Sequence, residues 1–143
     1  MKTAADILAG KKAGVLSIDA GASVLDAARQ MIDANVGSML VSVDGRITGI
    51  VTERDYLRRV VLAERGDRET TVGEIMTSPL IVVSPDTSVE ECMAIITQQR
   101  IRHLPVAVDG VVVALISIGD VVKFTSTQQS AQIQYLTEYI NAR

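Results

Sequence analysis

The chain has 143 residues, of which 48% are hydrophobic and only 3% aromatic, and its formal net charge is −3 at pH 7. An aliphatic core is therefore possible, while the acidic balance argues against the clustered basic charge that nucleic-acid binding needs. No apolar run approaches the roughly 20 residues of a membrane helix, and the N-terminus lacks the apolar core of a signal peptide. With one cysteine, Cys92, no intrachain disulfide can form, so we expect a soluble cytoplasmic protein that contacts neither nucleic acid nor membrane.

The sequence repeats itself at an offset of 65 residues, without a gap from Ile18 to Arg59. The clearest matches are Thr52 with Ser117, Asp55 with Asp120, Asp44 with Asp109, and Gly45 with Gly110. An earlier match, "ADIL" with "GEIM", is displaced by three extra residues near Lys11. We predict a first repeat over residues 1–62, a charged linker over 63–71, a second repeat over 72–125, and a C-terminal helix over 126–143.

Each copy predicts the order strand, helix, strand, strand, helix. The first strand is "GVLSI" in one copy and "LIVV" in the other, and a helix follows after Ser23 or Ser88, each three residues before an acid, as in a capping box. The turns "DGR" and "DGV" each predict a hairpin, and the second helices begin near Glu53 and Ile118. The apolar stripes of the first helices are Val24, Ala27, Ala28, Met31 and Ile32, and Val89, Cys92, Met93 and Ile96.

The segment after Phe124 is polar ("TSTQQSAQ") and then becomes amphipathic, with Ile133, Leu136 and Ile140 at helical spacing and Tyr135 and Tyr139 beside them. A unit of about 60 residues is marginal by itself because it buries little surface. We therefore expect an α+β protein whose two repeats pack sheet to sheet with pseudo-two-fold symmetry, plus a C-terminal amphipathic helix.

The motifs resemble those of the CBS domain. The resemblance rests on "IMTSPLIVVSPDTSVEECMAIITQQRIRHLPV" followed by "SIGDVVK", and on the [Ser/Thr]-x-x-Asp element after an apolar strand in both copies. Two copies in tandem resemble a CBS pair, or Bateman module, and no catalytic domain remains beside them. The resemblance implies a binding module for adenosine-containing ligands such as AMP, ATP, NAD or S-adenosylmethionine, and a disc-shaped homodimer.

Particular residues are candidates to bind the ribose, the adenine and the phosphates of a nucleotide. The carboxylates of Asp55 and Asp120 can accept hydrogen bonds from the ribose diol, and in the resemblance the hydroxyls of Thr52 and Ser117 lie near the ribose or α-phosphate. Apolar residues would enclose adenine: Val15, Leu80, Val82 and Ile116. The nearby polar and cationic candidates for the phosphates are Lys12, Arg54, Arg58, Thr77, Arg102, His103 and Lys123. The predicted nucleotide site also includes Ser38, Pro105 and Ile118.

The sequence also departs from the family pattern. Ala114 replaces the usual glycine found at Gly49, and Gly37 and Ser38 stand where the second copy has Arg102 and His103. We therefore expect the two clefts to differ.

Other interpretations of these residues are available. A [Ser/Thr]-x-x-Asp element is more often a capping box with nothing bound. Cys92 lies on an apolar helix stripe, which indicates a buried structural thiol, and His103, the sole histidine, has no visible nucleophile partner. Neither a zinc constellation nor a glycine-rich phosphate loop occurs.

We therefore predict a regulatory sensor, not an enzyme, that binds AMP, ATP or NAD and acts on an unidentified partner protein. S-adenosylmethionine, being cationic, fits the arginine-rich surroundings less well. The alternatives are a constitutive interaction scaffold with vestigial clefts and, less favoured, an enzyme acting on a nucleotide.

Overall fold

The computed structural model describes residues 1–11 and 15–141, with backbone alone described at 131–133, 135–136 and 138–141. The elements are α1 (Ala4–Ala9), β1 (Ser17–Asp19), α2 (Val24–Ala34), β2 (Ser38–Val43), β3 (Arg46–Thr52), α3 (Glu53–Tyr56), a π-helical turn (Leu57–Val61), α4 (Val72–Ile75), α5 (Val89–Gln99), β4 (His103–Val108), β5 (Val111–Ser117) and α6 (Ile118–Asn141). The predicted α+β class is confirmed.

The chain divides into two compact units. One is continuous, Gly14–Ile81, and is called the central unit below. The other combines Met1–Ala13 with Val82–Arg143 and is called the split unit. Each unit has its own sheet and its own hydrophobic core.

The central unit contains a three-stranded sheet in the order β1-β2-β3, in which β2 runs parallel to β1 and antiparallel to β3. Its core joins this sheet to α2, the π-helical turn and α4, with Met39, Val41 and Val72 at 1% exposure or less. The segment predicted as a linker packs here too: the carbonyl of Thr70, a buried residue, accepts the amide of Val24 at the start of α2.

The split unit has a two-stranded sheet, β4 antiparallel to β5. Its core joins the sheet to α1, α5 and α6, and includes Ala4, Ile7 and Cys92. Cys92 is fully buried and unpaired, as predicted from its place on the stripe, and burial raises the pKa of its thiol. The leading helix of each sequence repeat thus packs in the core that holds the strands of the other repeat.

The predicted strand "LIVV" at residues 80–83 is wrong. Only Val83 forms a bridge there, parallel to Val106 of β4. Its amide donates to the carbonyl of Pro105 and its own carbonyl accepts from Ala107. The split unit consequently lacks the third strand that the central unit has.

Two prolines explain this difference between the copies. In the central unit, the amides of Leu40 and Ala20 donate across to the neighbouring segment and extend the β1–β2 pairing at both ends. The residues at the same repeat positions in the split unit are Pro105 and Pro85, which have no N–H to donate. The two bonds flanking the bridge therefore cannot form, and the pairing stops at Val83.

Both predicted hairpins are confirmed. Asp44 and Gly45 have φ values of 50° and 81°, and Asp109 and Gly110 have 51° and 78°. Two successive positive φ values belong to the type I′ turn, which matches the twist of paired strands. Hairpin geometry is therefore the same in both units.

The helix predictions need two corrections. Ile32, placed on the apolar stripe of α2, is 80% exposed, and Met93 on α5 is 44% exposed, because each lies at the edge of its stripe. The polar stretch after Phe124 is helical, so the second helix of the repeat and the C-terminal helix form one element, α6. The side chains of Ile133, Leu136, Ile140, Tyr135 and Tyr139 lie outside the described ones.

Gly49 lies at a strand position where a side chain would not fit. A Cβ built there would lie 2.6 Å from Sδ of Met76 and 3.0 Å from the carbonyl oxygen of Thr77. Thr77 cannot easily yield, because its backbone forms an antiparallel bridge with Ile50 through two hydrogen bonds. In the split unit the matching residue, Ala114, packs against the core instead.

We expect Gly49→Ala to lower the free energy of unfolding by about 1–3 kcal/mol, because overpacking forces neighbours apart. Denaturant unfolding followed by circular dichroism measures it. Gly10→Ala is the matched control, since its Cβ would meet nothing closer than 4.0 Å. Equal stability of the Gly49 variant and the wild type would contradict the packing argument.

Candidate functional site

The first site lies where β3 ends and α3 begins. The Thr52 amide and hydroxyl donate to Oδ2 of Asp55 over 2.9 and 3.1 Å, and the Asp55 amide donates to the Thr52 hydroxyl over 3.2 Å. This reciprocal pattern is a capping box, which supplies acceptors for amides that a helix start leaves unpaired. We call Thr52, Asp55 and their neighbours the first-copy site.

The strands hold this junction in a fixed place. Ser38, which is 7% exposed, pairs with Thr52 across β2 and β3. The amide of Glu53, the first residue of α3, donates to the carbonyl of Gly37 over 3.0 Å. Because backbone bonds tie both sides of the junction, the Asp55 carboxylate is positioned by the sheet as well as by its own helix.

The second site repeats this geometry in the split unit. The Ser117 amide donates to Oδ2 of Asp120 over 2.8 Å, and the Asp120 amide donates to the Ser117 hydroxyl over 3.0 Å. His103 pairs with Ser117 across β4 and β5, and the Ile118 amide donates to the carbonyl of Arg102. Thus the predicted group Arg102, His103, Ser117, Ile118 and Asp120 does come together, and we call it the second-copy site.

Lys11 makes the second-copy site different from the first. Its ammonium lies 2.7 Å from Oδ2 of Asp120 and 2.7 Å from the carbonyl oxygen of Leu115, and donates to both. In the central unit the matching strand position, Ile50, is bonded instead by the backbone of Thr77. Across residues 1–11 and 15–141, the structure gives Asp55 no cation within 4.0 Å.

Burial and neighbouring charges shift the pKa values of Asp120 and His103 in the second-copy site. Burial acts to raise the pKa of Asp120, but hydrogen bonds from Lys11 and Ser117 outweigh burial, and the pKa lies below its ordinary value. Burial lowers the pKa of His103, and the positive charges of Lys11 and Arg102 lower it further against the opposing effect of Asp120. The lowered pKa of His103 favours its neutral form.

The remaining predicted site residues differ in their exposure to solvent. Arg54 is exposed on α3, Arg58 is exposed in the π-helical turn, and Lys123 is exposed on α6. Thr77 is exposed while its backbone bridges β3. Val15 and Leu80 are half-buried and Val82 is exposed, but Ile116 and Pro105 are buried in the split unit, so Ile116 supports the site from within the core. Lys12 lies outside the described residues.

Sequence reasoning missed two cations. Lys11 is one residue from the predicted Lys12, and the three-residue register shift nearby removed any repeat position that could have indicated it. The guanidinium of Arg59 donates to the carbonyls of Ile75 and Met76 over 3.0 and 3.4 Å, so it caps the end of α4. Nothing in the "LRRVV" pattern distinguishes this role from that of a solvated arginine.

Both sites can use one carboxylate for two purposes. In each, the cap occupies Oδ2, and within the described part of the chain no hydrogen bond is made by Oδ1 of Asp55 or Asp120. A carboxylate oxygen has two lone pairs, so a ligand hydroxyl can bind while the helix cap remains. Capping and ligand binding are therefore compatible at this junction.

The described residues contain neither a metal-binding cluster nor a membrane-spanning helix. No group of three or more His, Cys, Asp or Glu side chains is arranged there to hold a metal ion. None of the helices in the described residues is both long enough and apolar enough to cross a membrane.

Comparison with known proteins gives consistent results. The family model of the CBS domain matches residues 5–62 and again residues 72–126. The chain is 41% identical over 123 residues to the mitochondrial CBS domain-containing protein CBSX3 of Arabidopsis thaliana, a match covering 82% of this chain and 60% of the relative. It is 29% identical to CBS domain-containing protein YhcV of Bacillus subtilis, covering 82% of this chain and 83% of YhcV. The match thus spans less than two thirds of CBSX3.

A solved structure shows the same fold. A candidate signal-transduction protein with CBS domains from Burkholderia ambifaria is 44% identical, with a TM-score of 0.86 and coverage of 90% of this chain and 96% of that one. Proteins built on CBS pairs are regulatory and signal-transduction modules. Since both halves match the CBS model and the fold agrees with a solved tandem protein, this chain belongs to the CBS-domain family as a pair of CBS repeats.

Proposed function

We propose that this protein is a regulatory module that binds an adenine nucleotide at its [Ser/Thr]-x-x-Asp junctions. The observation that supports it most is the repeated carboxylate, since Asp55 and Asp120 both keep Oδ1 without a partner in the described residues while the strand ends hold them in place. A ribose diol presents two hydroxyl donors, and bonds to an ionised acceptor are stronger than neutral ones.

The phosphates of such a ligand need cations. Arg54 and Arg58 are exposed beside the first-copy site, and Lys11 and Arg102 belong to the second-copy site. These positive charges favour AMP, ATP or NAD over S-adenosylmethionine, which is itself cationic. Val15 and Leu80 offer apolar surface for adenine in the central unit, and Val82 offers it in the split unit, as apolar side chains do in most small-molecule sites.

Regulation would follow from a difference in ligand affinity between two states of the protein, because a ligand shifts an equilibrium only by that difference. We propose a homodimer as the form that responds and an unidentified protein as the recipient of the signal. A reducing cytoplasmic compartment belongs to the same proposal and is supported by the single, buried cysteine.

Asp55→Asn and Asp120→Asn test the proposal, because asparagine keeps an oxygen for the cap but removes the charge. We expect each change to weaken nucleotide binding at its own site by about tenfold or more, as loss of a hydrogen bond to a charged group does. Isothermal titration calorimetry with AMP, ATP and NAD measures the affinity, and amide NMR shifts of Thr52 and Ser117 identify the site.

Asp6→Asn is the matched control. Asp6 accepts the Thr3 amide over 2.8 Å in a capping box of the same kind at the start of α1. The Asp6 variant therefore tests the effect of changing a cap alone. Affinities in both site variants equal to that of the wild type would remove the ribose assignment.

A constitutive interaction scaffold is the second candidate, favoured by the complete capping box at Thr52 and Asp55, which needs no ligand to form. Calorimetry separates the two functions, because a scaffold gives no heat and no thermal shift with any of the three nucleotides.

We also expect the protein to leave its ligand chemically unchanged. The Thr52 hydroxyl, which donates to Asp55 over 3.1 Å, belongs to a helix cap, and the thiol of Cys92 is buried in the core, so neither is placed as an activated nucleophile. Incubation with ATP or NAD followed by chromatography should return intact nucleotide. A hydrolysed or transferred group would show an enzyme instead.

A further inference from the structure

The two junctions share a backbone geometry but differ in charge. At the first-copy site, Thr52 alone bonds Oδ2 of Asp55, so within the described residues the carboxylate keeps an uncompensated negative charge. At the second-copy site, the ammonium of Lys11 lies 2.7 Å from Oδ2 of Asp120. The same carboxylate is therefore half of an ion pair in one unit and not in the other.

Lys11 still has capacity to bind a ligand. An ammonium has three N–H donors, and two of them are used by Asp120 and Leu115. The Lys11 side chain is 38% exposed and that of Asp120 is 26% exposed, so solvent reaches the pair. An anionic ligand can thus approach the third donor without breaking either existing bond.

The ion pair opposes one kind of ligand and favours another. A neutral nucleoside offers Asp120 only hydroxyls, and a carboxylate whose charge Lys11 already compensates is a weaker acceptor for them than a free one. A phosphorylated ligand supplies a second anion for Lys11, and charge-assisted bonds between ammonium and phosphate are among the stronger polar contacts. The attraction of Lys11 is then shared between Asp120 and phosphate, which leaves the carboxylate freer to accept the ribose hydroxyls.

We propose that Lys11 sets the specificity of the second-copy site by making it select phosphorylated nucleosides over unphosphorylated ones. This inference rests on the proposed nucleotide-binding function and adds a residue and a direction of selectivity to it. The first-copy site does not select for a phosphate in this way, because neither Arg54 nor Arg58 forms an ion pair with Asp55 in the described structure. Both arginines are exposed.

The test compares AMP with adenosine at each site. Amide NMR titration of the whole protein follows Ser117 and Asp120 for the second-copy site and Thr52 and Asp55 for the first. In the wild type we expect AMP to bind the second-copy site about tenfold or more tightly than adenosine. In Lys11→Met, the affinity of the second-copy site for AMP should fall by about tenfold. Its affinity for adenosine should rise, because Asp120 no longer has an internal cation.

Opposite changes for the two ligands distinguish this role from a structural one, which would weaken both. Lys11→Arg, which keeps the charge, should retain the preference for AMP, and Lys2→Met controls for loss of one positive charge elsewhere in the split unit. Thermal melts check that each variant is folded.

Three results would overturn the inference. In Lys11→Met, unchanged AMP affinity, or parallel weakening of AMP and adenosine, would remove Lys11 as the specificity residue and leave the proposed function in place. AMP binding confined to the first-copy site would also overturn it. If neither ligand bound the wild type at either site, the proposed function itself would fail.

Discussion

The junction between a β-strand and the helix that follows it is the constraint on which both units depend. A helix start exposes amides that need acceptors. Here the third helical residue, Asp55 or Asp120, accepts the amide of the residue before the helix, and the hydroxyl of that residue accepts the amide of the acid. The N-cap residues Thr52 and Ser117 contribute about 0.5–2 kcal/mol each, and the two acids complete their capping boxes, so the local fold by itself gives a reason for these acids. Their second oxygen is what connects this stabilising role to ligand binding.

The two copies have diverged around this constant junction. Pro85 and Pro105 remove two amides from the split unit and shorten its sheet, whereas the central unit keeps three strands. The strand edge next to the junction is bonded by the backbone of Thr77 in the central unit and by the ammonium of Lys11 in the split unit. A fold built by duplication can therefore keep its geometry while the charge near each carboxylate changes.

Much of the architecture was predictable because it depends on local rules. The Asp-Gly turns require positive φ at adjacent positions, and the caps at Ser23 and Ser88 follow directly from residue spacing. The prediction of a strand at "LIVV" was wrong because strand pairing depends on amides in both strands. Pro105 has no amide to donate, so the pairing stops at Val83, which is 22 residues away in the sequence. The continuous α6 was missed because polar residues after Phe124 mark an exposed helix surface as readily as a loop.

The sequence by itself determined the repeat, the hairpins, the capped helices and the two acidic junctions, because each follows from residues close together in the chain. Only the tertiary structure decided that α1 and α4 pack with the strands of the other repeat, and that Lys11 lies against Asp120. These contacts join residues far apart in sequence, such as the 109 positions between Lys11 and Asp120. Packing of whole elements brings such residues together, and no local spacing records it.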